Sequence, residues 1–112
     1  MTASASTPAG PAPDIDALLA GRDVPVLVDC FAPGCGPCAA LAPVLDELQT
    51  DMAGQLAVVK VDVGAAPAIA RRFGVRSVPT LLLFRDGALR ATRSGAASRT
   101  QLLTWLSANG AV

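Results

Sequence analysis

Histidine is absent from this chain of 112 residues. The absence excludes hydrolases of the Ser-His-Asp and Cys-His types, whose general base is an imidazole. It also removes the commonest protein ligand of metal ions. The sequence has three cysteines, whereas a structural zinc site takes four ligands. We therefore expect no metal site.

Net charge and long apolar runs are also lacking. Nine basic and nine acidic residues balance, so nothing indicates nucleic acid or an anionic membrane as a partner. No apolar run reaches the roughly 18 residues of a spanning helix, and residues 1–7 have neither the basic region nor the apolar block of a signal peptide. We therefore expect a cytoplasmic protein, in a compartment where disulfides are usually transient and catalytic.

The composition is typical of one folded domain. The chain is 52% hydrophobic and 16% charged, which allows a core to form without disulfide staples. Residues 1–13 are rich in Ala, Ser, Thr, Pro and Gly and are predicted to form a flexible tail. Residues 14–112 are predicted to form the domain.

Hydrophobic patterns and turn residues divide the domain into alternating helices and strands. The predicted helices are residues 15–20, 37–52, 67–73 and 99–108, and the predicted strands are residues 24–31, 56–63, 80–84 and 88–93. A right-handed crossover makes the first two strands parallel, and the turn Arg85-Asp86-Gly87 adds an antiparallel hairpin. The pattern predicts an α/β fold with a mixed central sheet and helices on both faces.

The segment Cys35-Gly36-Pro37-Cys38 is the most informative part of the chain. It joins an apolar strand to a helix, so Cys35 lies where backbone N–H groups point outward and favour a thiolate. Only the thiolate attacks sulfur, and such a position brings the cysteine pKa to about 7. Cys38 lies one helical turn on and can close a disulfide. The motif predicts dithiol–disulfide exchange, with Cys35 attacking and the more buried Cys38 resolving.

Asp29 is an acidic residue inside an apolar strand. Burial raises the pKa of a carboxyl group, so Asp29 is a candidate base that takes the proton of Cys38 through water. The alternative is a structural carboxylate paired with Lys60. Lys60 either faces Asp29 and limits the rise of its pKa, or is a solvated lysine that discourages pairing at a sheet edge. Cys30 is predicted to be a small core residue.

These residues resemble the thioredoxin family from about Val26 to Ala111. The matching segments are Val28-Asp29, Cys35-Gly36-Pro37-Cys38, Ala42-Pro43, Lys60-Val61-Asp62, Val78-Pro79-Thr80, Phe84-Arg85-Asp86-Gly87 and Gly95-Ala96. The resemblance implies the thioredoxin fold and a protein disulfide reductase. Its redox centre is the Cys35–Cys38 disulfide, with no bound cofactor. A Gly-Pro interior is typical of the reducing members of the family.

The resemblance also implies where a substrate binds. It predicts a cis bond before Pro79, which turns the backbone on either side toward the cysteines, and a close approach of substrate at Gly95. The candidate substrate-binding residues are Gly34, Gly36, Pro37, Val78, Pro79 and Gly95.

Two features depart from the family pattern. Gly34 and Phe31 stand where tryptophans are usual, and the pair Pro33-Gly34 predicts a flatter and less apolar rim. The family's N-terminal edge strand falls on residues 6–11, whose prolines lack N–H groups, so this strand is predicted to be weak or missing.

The implied partners are disulfide-containing protein substrates and an NADPH-dependent thioredoxin reductase, and we expect a monomer or a weak dimer. Two other functions stay open. One is a thioredoxin-fold binding or chaperone module whose dithiol is incidental. The other is a disulfide oxidase or isomerase.

Overall fold

The computed structural model describes residues 14–112. The predicted flexible tail and the weak or missing edge strand both fall on residues 1–13 and lie outside the described residues. The division between tail and domain therefore stays a prediction.

Helices and strands alternate along the described chain. In order they are α1 (Ile15–Leu19), β1 (Val26–Phe31), α2 (Gly36–Asp51), β2 (Ala57–Asp62), α3 (Pro67–Phe73), β3 (Thr80–Arg85), β4 (Ala88–Ser94) and α4 (Arg99–Ala108). Each predicted element is present, and each end lies within two residues of its predicted position. In this part of the chain, no helix is long and apolar enough to cross a membrane.

The strands form one mixed sheet in the order β2-β1-β3-β4. β1 and β2 are parallel, while β3 is antiparallel to both β1 and β4. This confirms the predicted mixture of a parallel crossover and an antiparallel hairpin. The register places Asp29 of β1 between Lys60 of β2 and Leu81 of β3.

Local signals fix where several elements begin and end. The carboxylate of Asp14 accepts a hydrogen bond from the Ala17 N–H at 3.2 Å and caps α1. Ser98 and Gln101 form a reciprocal capping box at the start of α4. Asp86 and Gly87 both have positive φ, which matches the twist that a two-residue hairpin requires.

The sheet is covered by helices on both faces, as predicted. Val26, Val28 and Cys30 of β1 pack with residues of α1 and α3 in one buried cluster. Leu27 packs with leucines of α2 and α4 in the other. Because side chains alternate along a strand, Asp29 points to the same side as Leu27. The fold therefore places Asp29 on the side of the sheet that α2 covers.

Candidate active site

Cys35 is the N-cap residue of α2. Its backbone is extended, and its Sγ accepts a hydrogen bond from the Cys38 N–H at 3.1 Å. Pro37 stands in the first turn, where its missing N–H removes no helical bond. Any negative charge on Cys35 thus meets a backbone donor and the positive end of the helix dipole, and both favour the thiolate.

Cys35 and Cys38 form a disulfide, and their Cα atoms lie 5.2 Å apart. Their exposure differs, since Cys38 is only 6% exposed whereas Cys35 is half-buried. A disulfide arriving from solvent therefore reaches the sulfur of Cys35 more readily than that of Cys38.

The loop before β3 lies beside Cys35. The bond between Val78 and Pro79 is cis, as the resemblance implied. The Val78 carbonyl oxygen lies 3.9 Å from the Cys35 Sγ. The Pro79 carbonyl accepts a hydrogen bond from the Gly95 N–H at 2.9 Å. The structure therefore brings the end of β4 and the cis-proline loop together next to the sulfur of Cys35.

Gly34 gives the site an open rim. Its φ is +77°, a conformation that L side chains rarely adopt, and no atom lies within 4 Å of where a Cβ would stand. Gly36 and Pro37 are also exposed. A side chain in place of Gly34 would have room for its Cβ but a strained backbone, so the present loop conformation depends on glycine.

Asp29 is 2% exposed, and its Oδ1 has no hydrogen-bond partner within residues 14–112. Burial raises the pKa of Asp29, and the positive charge of Lys60 opposes part of that rise. A cavity of about 320 Å³ links this carboxylate to the reactive motif. The cavity lining includes Asp29, Cys35, Cys38, Lys60, Phe31 and Gly34. A space of this size is large enough to hold water between the Asp29 carboxylate and Cys38.

Lys60 contributes to the site as a neighbouring charge. Its Nζ forms an ion pair with the Asp46 carboxylate of α2 at 3.2 Å, and within the described residues no hydrogen bond joins it to Asp29. Asp46 was missed by the sequence reasoning because only the packing of α2 over β2 brings it there. The side chains of Lys60 and Asp46 are 39% and 66% exposed, so this pair is worth at most about 1 kcal/mol.

Cys30 lies outside the site. It is fully buried and packs on the side of the sheet covered by α1 and α3, away from the disulfide. Burial raises the pKa of Cys30 to about 11, and the nearby charge of Asp29 adds to the rise. The prediction of a small core residue is confirmed. Residues 14–112 also contain no group of three or more side chains arranged to hold a metal ion.

Comparisons with known proteins agree with this geometry. The family model described as Thioredoxin matches residues 13–108. The chain is 45% identical over 93 residues to a thioredoxin of Haemophilus influenzae, which covers 83% of this chain and 87% of the relative. It is 48% identical over 87 residues to a thioredoxin of Pseudomonas aeruginosa, and the match covers 78% of this chain and 81% of the relative. It is also similar to the chloroplastic thioredoxin M5 of rice, with 42% identity over 89 residues.

Proposed function

We propose roles for individual residues on the premise that this chain belongs to the thioredoxin family. The protein is a thiol–disulfide oxidoreductase that reduces disulfides by dithiol–disulfide exchange, and its redox centre is the Cys35–Cys38 pair of the chain itself. One observation carries the assignment of roles. Cys35 is the more exposed sulfur and caps a helix with a backbone N–H directed at it.

The reaction begins with the reduced protein. The Cys35 thiolate attacks one sulfur of the substrate disulfide, and the other substrate sulfur leaves as a thiolate that takes a proton from solvent. Cys38 then loses its proton, and its thiolate attacks the Cys35 Sγ. The second substrate sulfur leaves, and the Cys35–Cys38 disulfide forms. The substrate disulfide gains the two electrons that the protein dithiol loses.

Asp29 acts as the base for the second step. Its raised pKa makes it a better proton acceptor near neutrality than an ordinary carboxylate, and the cavity provides a water path to Cys38. Lys60 limits the rise of that pKa through its charge. Asp46 in turn pairs with Lys60, so it weakens this influence.

The substrate chain lies along the segments beside Cys35. The backbone of Val78 lies beside the reactive sulfur, where it can pair with an extended peptide. Pro79 and Gly95 are hydrogen-bonded to each other next to it and form the adjoining surface. Gly34, Gly36 and Pro37 form the exposed rim over which the substrate passes. Because Gly34 has no side chain, this rim admits bulky or tightly folded disulfide regions.

The substrates are protein disulfides, as in the family generally. The oxidised protein is returned to its dithiol form by an NADPH-dependent thioredoxin reductase. We place this cycle in the cytoplasm and take the working unit to be a monomer or a weak dimer.

The reduction of insulin by dithiothreitol tests the enzymatic part of this proposal. The protein is expected to accelerate the appearance of turbidity from the insoluble B chain, and the Cys35→Ser variant is not. A rate equal to that of the reagent alone would contradict catalysis and favour a binding module with an incidental dithiol.

The equilibrium of the Cys35–Cys38 pair with glutathione tests the direction of the reaction. We expect a potential of about −270 mV, the value typical of thioredoxins. A potential above about −200 mV would instead identify an oxidase or isomerase.

A further inference from the structure

The charges of this neutral chain are unevenly distributed. Residues 87–112 contain three arginines and no aspartate or glutamate. Arg99 is neutralised by Glu47 and Asp51 of α2. Arg90 is exposed on β4. The third, Arg93, is half-buried, and its buried Nε has no hydrogen-bond partner within residues 14–112.

Arg93 lines a groove of about 380 Å³ between β4 and α4, here called the β4–α4 groove. The other residues of its lining are Thr100, Gln101, Thr104, Trp105 and Ala108. The lining contains hydrogen-bond donors of four kinds: guanidinium, hydroxyl, amide and indole N–H groups. It contains no carboxylate.

The side chain of Gln101 adds to this donor character. Its Oε1 already accepts a hydrogen bond from the Ser98 N–H at 2.9 Å, which leaves the amide NH₂ as its remaining polar group. A buried, unpaired guanidinium Nε beside such donors is costly unless an acceptor binds there. The chemistry of the β4–α4 groove is therefore that of an oxyanion site.

The groove is separate from the active-site cavity but lies a short stretch of chain away from the loops beside Cys35. Arg93 lies near the end of β4 and precedes Gly95, just beyond that strand, by two residues, a separation of at most about 7 Å. The Gly95 N–H bonds to the Pro79 carbonyl at 2.9 Å, beside the reactive loop. Arg93 is therefore within a few residues' reach of a substrate chain bound at Cys35, and an acidic segment next to the substrate disulfide can extend to it.

We propose that the β4–α4 groove binds the carboxylates of an acidic segment of the disulfide-containing protein substrate, with Arg93 as the principal contact. This deepens the proposed function and rests on it for the identity of the occupant. Binding itself is independent of redox chemistry, so the two are tested separately.

The binding experiment uses Trp105, which lies in the groove and is the only tryptophan of the chain, as a fluorescent reporter. The oxidised protein is titrated with a cysteine-free peptide rich in Glu and with the same peptide carrying Gln. We expect saturable binding of the Glu peptide and at least tenfold weaker binding of the Gln peptide. The affinity of the Glu peptide is expected to fall when ionic strength rises from about 0.01 M to about 0.15 M, because salt screens the attraction between the peptide carboxylates and Arg93.

Three variants assign the effect to one side chain. Arg93→Gln is expected to weaken binding of the Glu peptide about tenfold, or about 1.4 kcal/mol. Arg93→Lys is expected to keep most of the affinity. Arg90→Gln removes the same charge from the same strand but outside the groove and is expected to leave binding unchanged. Equal binding of both peptides, or equal weakening by the Arg90 and Arg93 variants, would overturn the proposal. Inorganic phosphate that binds more tightly than the Glu peptide would also overturn the peptide as occupant.

A kinetic comparison separates this proposal from the proposed function. Two short disulfide peptides, one with a Glu tail and one with a Gln tail, serve as substrates. Arg93→Gln is expected to raise KM about tenfold for the acidic substrate only, with kcat unchanged. Equal effects on both substrates would refute the subsite. Loss of reduction for both substrates in the unaltered protein would contradict the proposed function, and the peptide titration would still decide whether the groove binds carboxylates.

Discussion

Replacing Asp29 by asparagine is expected to stabilise the protein and slow its reaction. The carboxylate is 2% exposed and its Oδ1 lacks a hydrogen-bond partner within the described residues. Removing a charge from water in this way costs several kcal/mol in real proteins, and the attraction to the positive charge of Lys60 offsets part of that cost. An unpartnered amide in the same place costs about 1–3 kcal/mol. The net expectation is a gain of about 2 kcal/mol in the free energy of unfolding at pH 8.

The sign of the pH dependence follows from the raised pKa of Asp29. Between the ordinary carboxyl pKa of about 3.9 and the raised folded value, the folded chain holds a proton that the unfolded chain has released. This carboxyl group therefore reduces stability progressively as pH rises through that window, and fully above the folded pKa. The difference between the Asp29→Asn variant and the unaltered protein should vanish near pH 3.5, grow with pH and then level off.

Urea unfolding of the oxidised proteins, followed by Trp105 emission, measures this difference. With a slope of about 1–3 kcal/mol per molar urea, a gain of about 2 kcal/mol moves the midpoint upward by about 1 M. Asp23→Asn, at an exposed acidic position, is the matched control and should leave the midpoint unchanged. Two results would refute the view that the buried Asp29 carboxylate destabilises the fold. One is an Asp29→Asn variant that is less stable than the unaltered protein at pH 8, and the other is a stability difference that does not grow with pH.

The same variant tests the proposed base. Insulin reduction at pH 7 is expected to fall tenfold to about 10²-fold, at the low end of general-base contributions, because the cavity allows water to replace the lost group. The deficit should shrink at higher pH, where Cys38 loses its proton to hydroxide. An unchanged rate across this range would remove Asp29 from the mechanism.

Four further predictions address the roles and the fold. Cys38→Ser is expected to accumulate mixed disulfides with substrate proteins and Cys35→Ser is not; equal trapping on a diagonal gel would reverse or abolish the assigned roles. Ser98→Ala breaks the capping box of α4 and should lower the free energy of unfolding by about 1 kcal/mol in urea titrations. An unchanged free energy of unfolding would show that the cap does not stabilise the protein. Trp105 lies in α4, so its emission should barely change between the oxidised and reduced proteins, and a large change would place it in contact with the redox pair. β2 is an outer strand of the sheet within residues 14–112. It is expected to permit weak self-association, and strictly monomeric light scattering at high concentration would argue against this.

The helix and strand limits that the sequence predicted correctly depend on local chemistry. Pro67 and Gly74 bound α3 because proline suits a first helical turn and Gly74 adopts a left-handed φ of 70° at the end. β1 begins at Val26 rather than at residue 24, since Pro25 has no N–H to donate to a neighbouring strand. Pro25 nevertheless accepts a hydrogen bond from the Ala57 N–H through its carbonyl at 3.0 Å.

The candidate site was predictable where its chemistry is local to the chain. Cys35 and Cys38 are defined by their spacing at a strand–helix junction, and Asp29 by its apolar surroundings. The register that sets Lys60 beside Asp29 was only a hypothesis, because it depends on strand pairing across a long crossover. Asp46 and Arg93 were not predicted as site residues. Their positions come from the packing of α2 over β2 and of α4 beside β4, and no short pattern in the sequence encodes these contacts.

The isolation of Cys30 makes it a built-in marker for global opening of the fold. Its side chain is fully buried against α1 and α3, and burial raises its pKa to about 11, so it is neither accessible nor ionised at neutral pH. A thiol-labelling reagent applied to the reduced native protein should modify Cys35 first and Cys38 more slowly. Modification of Cys30 should then appear only at the rate at which the fold opens and separates the sheet from α1 and α3. The mass added to the chain over time thus records its unfolding rate without any engineered probe.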